Sequence, residues 1–117
     1  MDLKGCYEAL GGDYESVLGR LRSERMITKF CLKFLDDKSC ETLVEAVARK
    51  DAETAFRAAH TIKGICQNLS FDRLYASSHE LAECLRSGVW DEAAVAMTER
   101  VKADHQATAD AIRQLDA

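Results

Sequence analysis

Proline is missing from this 117-residue chain, and glycine occurs only six times. Helix termination therefore cannot rest on proline and must come from glycine and from capping side chains. So little of either residue also excludes collagen-like and Pro/Gly-rich low-complexity chains. No apolar run reaches the roughly 18 to 20 residues that cross a bilayer, so no membrane span is expected. The stretch from Met1 to Gly12 also lacks the charged-then-apolar order of a secretory signal, and a cytoplasmic protein is expected. Positive charge is not in excess: 16 basic residues face 20 acidic ones, the formal charge is -4, and no basic stripe exists to neutralise a nucleic-acid backbone.

The cysteines are few and scattered. Cys6, Cys31, Cys40, Cys66 and Cys84 are an odd number at irregular spacings, with no C-x-x-C and no Cys/His cluster of the kind that binds zinc. Neither a disulfide framework nor a metal site is expected. Cys31 and Cys66 fall at apolar helical positions, where a free thiol packs as a small hydrophobe.

With 47% hydrophobic and 31% charged residues, the chain has the composition of a folded protein, and its length suits one domain over residues 1–117. The apolar residues recur at helical spacing. A short helix over about residues 2–10 is broken by Gly11-Gly12, and Asp13 can cap a long second helix whose stripe runs through Ile27, Phe30, Cys31, Phe34 and Leu35 to the polar Asp36-Asp37-Lys38. Ser39 is the expected cap of a third helix, Asp51 opens a fourth through about Leu69, and Ser70 with Asp72 starts a fifth that ends at Ser87-Gly88. Asp91 begins the last helix, whose seam runs through Ala94, Met97, Val101, His105, Thr108, Ile112 and Leu115. Short connections make successive helices antiparallel. The expected fold is all-α, an up-and-down antiparallel four-helix bundle with short additional N-terminal helices.

The fourth helix carries the informative residues. At about 100° per residue, Ala55, Ala59, Ile62, Cys66 and Leu69 share the core arc, and His60 points about 140° away from its centre. Lys63, Gly64 and Gln67 lie beside His60 on the solvent side. A structural histidine in a bundle usually sits on the apolar face, which His60 does not. Gly64 is also out of place, because a mid-helix glycine costs roughly 1 kcal/mol relative to alanine. A bare backbone one turn from an imidazole lets a partner approach closely, while Lys63 places positive charge where an anion would sit.

His60-x-x-Lys63-Gly64, preceded by small residues and followed by Asn68-Leu69, resembles the histidine-containing phosphotransfer (HPt) domain of two-component phosphorelays. The resemblance runs from about Phe56 to Gly88 and includes Leu74, Glu80 and Leu81. Where that family commonly has glycine ten residues after the histidine, this chain has Ser70, small enough for a tight turn and able to cap the fifth helix. The resemblance implies a carrier whose His60 exchanges a phosphoryl group with an aspartate of a response-regulator receiver domain, in a pathway fed by a sensor histidine kinase. It implies that Lys63 steadies the phosphoryl oxygens and that Gln67 adds a hydrogen bond. No cofactor of its own is expected, since the receiver would bring Mg²⁺ and an acidic pocket.

No Gly-rich phosphate loop is present, so the chain is not expected to be an ATP-using enzyme. His79 has Glu83 one turn on, a carboxylate that would repel a phosphoryl dianion, and His105 lies on the seam of the last helix as a packed structural residue. Two other readings are a binding-only helical scaffold and the phosphoacceptor domain of a larger histidine kinase. Scaffolding alone would need none of His60, Lys63 and Gly64. Met1 and the compact ending suit a free-standing carrier, expected to be a monomer.

Overall fold

The computed structural model describes residues 1–116. Seven helices follow one another: α1 (Leu3–Leu10), α2 (Tyr14–Leu21), α3 (Glu24–Phe34), α4 (Ser39–Ala48), α5 (Ala52–Leu69), α6 (Asp72–Cys84) and α7 (Ala93–Arg113). No strand occurs among the described residues. α5 packs along both α4 and α6, and α7 closes the bundle against α6 and α4 before continuing past them to α1. The result is the expected all-helical bundle with short N-terminal helices at one end, 41 × 23 × 19 Å in extent.

One hydrophobic cluster draws on every helix. α5 supplies its small residues, Ala55, Ala59 and Cys66, all fully buried, which lets the neighbouring helices approach it closely. Cys31 and Cys66 are buried as expected, and burial pushes both thiols up, Cys31 to about 11. Such thiols stay protonated and inert at neutral pH.

The helix borders differ from the expectation in five places, one of them α7, which starts at Ala93 and not at Asp91. The long second helix is two helices: Arg22 takes a left-handed φ of 64°, and Ser23 caps α3 by accepting from the Met26 amide at 3.3 Å. A straight helix would set Val17 about 80° from Ile27, and the break lets both be fully buried. Ser39 is the first residue of α4 and not its cap, because Asp37 accepts from the Ser39 amide at 2.8 Å and Lys38 holds the cap position. Ser70 ends α5 instead of starting α6. α6 itself stops at Cys84 and is prolonged by hydrogen-bonded turns to Gly88, whose φ is 81°.

Candidate functional site

α5 is held at both ends. Asp51 accepts from the Thr54 amide at 3.1 Å, satisfying a free donor of the first turn, and Thr54 is the main reason that the Asp51 carboxyl is held below its ordinary range. At the other end Ser70 adopts φ 56°, and its amide returns to the Cys66 carbonyl. The Ser70 hydroxyl cannot cap α6, because it donates to Ser16 at 3.1 Å and accepts from Arg20 at 3.0 Å. Arg20 also donates to the Asn68 carbonyl at 2.7 Å. The Ser70 carbonyl accepts from the Asp13 amide, and a Cβ on Gly12 would lie 2.6 Å from that oxygen, so this close approach requires glycine.

Between these anchors, His60, Gly64 and Gln67 are exposed on one face of α5, and Lys63 is half-buried beside them toward α6. The structure thus brings together all four residues singled out from the sequence. A Cβ built on Gly64 meets no atom within 4 Å, so packing inside this chain does not require the glycine. Lys63 takes part in no ion pair among the described residues. Its ammonium still influences Glu83 across the α5–α6 seam.

Three residues at this face were not anticipated. The Phe56 ring stacks on the His60 imidazole, with centroids 5.8 Å apart and planes inclined by 25°. Arg86, just past α6, sets its guanidinium 5.7 Å from the Phe56 centroid and donates from Nε to Glu83 at 3.1 Å. That bond is the main reason that the Glu83 carboxyl is held below its ordinary range, with Lys63 and His79 contributing less. Phe56 could have been found from its position four residues before His60. Arg86 and Glu83 could not, since only the antiparallel register of α5 and α6 brings them near.

The other histidines are placed differently. His79 is half-buried and stacked on Tyr75 at 5.7 Å, with its Nδ1 buried and unpartnered. His105 is half-buried against Phe34, centroids 5.0 Å apart, and burial pushes its imidazole below the ordinary value. Among the described residues no cluster of three or more His, Cys, Asp or Glu could hold a metal ion, and no helix is long and apolar enough to cross a membrane.

This face has a nucleophilic side chain, an uncommitted cation and an unobstructed backbone, all on one helix capped at both ends. It suits transfer of an anionic group delivered from outside. No curated protein and no solved structure matches the chain. The family model for the Hpt domain matches residues 33–117, from the last turn of α3 onward, and so includes the whole of α5. The chain therefore belongs to the Hpt domain family, the histidine phosphotransfer modules of two-component signalling.

Proposed function

We propose that this protein is a phosphorelay carrier whose phosphoacceptor is His60, exchanging its phosphoryl group with the aspartate of a response-regulator receiver domain. The observation that carries this reading is the exposure of His60 beside Lys63 and Gly64 on α5, inside the segment that matches the family. In the transfer, the lone pair of an unprotonated ring nitrogen forms the N–P bond as the P–O bond of the aspartyl phosphate breaks. The bonding pair returns to the carboxylate, and the N–H proton on the other ring nitrogen can pass to water.

Such a transfer depends on in-line positioning and charge stabilisation, with little covalent work for the carrier. Lys63 supplies positive charge toward the equatorial oxygens, Gln67 offers an amide donor, and Gly64 leaves room for the receiver. The receiver contributes its own Mg²⁺ and acidic pocket, and a sensor histidine kinase stands upstream. The carrier acts as a cytoplasmic monomer without an ATP site.

Incubation with a phosphorylated receiver, and separately with ATP and Mg²⁺, tests the reading. Label acquired from the receiver alone is the expected result. Label from ATP alone would make the chain part of a kinase, and no label in either arm would make it a scaffold.

A further inference from the structure

An exposed imidazole on a convex helix face samples several staggered rotamers, and each rotamer aims its nitrogens differently. In-line transfer uses one aim. A ring packed against one face of an imidazole narrows such sampling by steric exclusion. Phe56, one turn before His60, is packed against the hydrophobic cluster and lays its ring face along the imidazole, 5.8 Å between centroids and 25° between planes. From the turn after α6, the Arg86 guanidinium lies 5.7 Å from the Phe56 centroid and is tied to Glu83 by hydrogen bonds from Nε and Nη2.

The same pair spacing recurs on α6, where Tyr75 stacks on His79 at 5.7 Å and 8°. There one ring nitrogen is buried without a partner, whereas His60 is exposed. The same i to i+4 stacking therefore occurs beside a half-buried histidine on α6 and an exposed one on α5.

We propose that Phe56 is a positioning residue, which holds the His60 imidazole in its transfer-competent orientation, and that Arg86 and Glu83 brace Phe56 from the end of α6. This rests on His60 being the acceptor. A fixed ring restricts rotation before the receiver arrives, so its effect falls on the transfer step and not on docking.

The test uses the full chain with a phosphorylated receiver, comparing Phe56→Leu, Phe56→Tyr and Arg86→Gln with the parent. Phe56→Leu is expected to lower the rate constant at saturating receiver by roughly threefold to tenfold with KM unchanged, and Phe56→Tyr to stay within about twofold of the parent. Arg86→Gln, at an exposed position, is expected to keep the melting temperature and lose a smaller part of the rate. Proton NMR adds a readout that a purely structural role would not reproduce. The His60 ring protons should carry an upfield shift in the parent and in Phe56→Tyr that is absent in Phe56→Leu. Transfer by Phe56→Leu at the parent rate, or equal slowing in the Leu and Tyr variants, would overturn the positioning role, and a parent rate for Arg86→Gln would overturn the brace. A parent protein that takes no label on His60 would remove the acceptor reading itself, and the positioning role with it.

Discussion

The Tyr7 hydroxyl donates to the Leu69 carbonyl at 2.8 Å, tying α1 to the last residue of the helix that carries His60. The ring is fully buried, and burial pushes the phenol's pKa up, so the group remains a donor at any ordinary pH. Tyr7→Phe would leave a buried carbonyl without this partner, and a loss of about 1 to 3 kcal/mol is expected in chemical denaturation. Phosphotransfer should survive at temperatures where the variant is folded, because Tyr7 anchors the end of α5, about two and a half turns from His60. Unchanged stability would show that the bond contributes nothing net.

Ser70 sets two effects against each other. Its left-handed backbone is unfavourable for a side-chain-bearing residue by roughly 1 to 2 kcal/mol, while its hydroxyl joins Arg20 and Ser16. Ser70→Ala keeps the strain and loses the hydrogen bonds, so it should be destabilised by about 1 to 2 kcal/mol. Ser70→Gly loses the same bonds but relieves the strain, and should fall within about 1 kcal/mol of the parent. Thermal melts that rank Ala above Gly would contradict the assignment of strain to this turn.

Charge and space can be separated at Lys63 and Gly64. If Lys63 bonds the phosphoryl oxygens, Lys63→Ala should slow transfer or shorten the lifetime of phospho-His60 by the loss of one charge-assisted hydrogen bond of about 1.5 to 3 kcal/mol. The open space around Gly64 means that Gly64→Ala should raise stability by up to about 1 kcal/mol. Gly64→Gln should fold and yet impair transfer by obstructing the receiver. Melting temperature and transfer rate measured on the same variants decide this, and a wild-type rate for Gly64→Gln would remove the clearance argument.

His105 gives a pH dependence. Burial lowers its pKa in the folded state, with Asp37 opposing and Arg113 assisting, so the unfolded chain takes up this proton at higher pH than the folded one. The resulting stability is fully present above the ordinary histidine value of about 6.5 and is lost as pH falls through the folded value. Melting temperature should decline between neutral and mildly acidic pH more steeply in the parent than in His105→Gln. Parallel pH profiles would assign the decline to other groups.

Which of these features the sequence shows depends on whether they are local. The seam of α7 was legible because four- and three-residue steps persist over many turns, and Ala94, Val101, Thr108 and Ile112 are indeed buried. The face shared by His60, Lys63, Gly64 and Gln67 was legible for the same reason, since positions on one helix follow from periodicity alone. The break at Arg22 was hidden, because neither glycine nor proline marks it and only the joint burial of Val17 and Ile27 demands it. Ser70 was placed on the right turn with the wrong duty, because Arg20, which claims its hydroxyl, lies 50 positions earlier in sequence. Arg86 and Glu83 were missed for a related reason: their relation to Phe56 exists only once α5 and α6 are paired.

Mapping the phosphoryl group on the protein tests the phosphorelay role most directly. After incubation with a phosphorylated receiver, the parent should carry one acid-labile, alkali-stable phosphoramidate on His60, while His60→Gln, altered only at an exposed position, should fold and take no label. Label persisting on His60→Gln, or mapping to His79, would contradict the assignment of His60 as the acceptor.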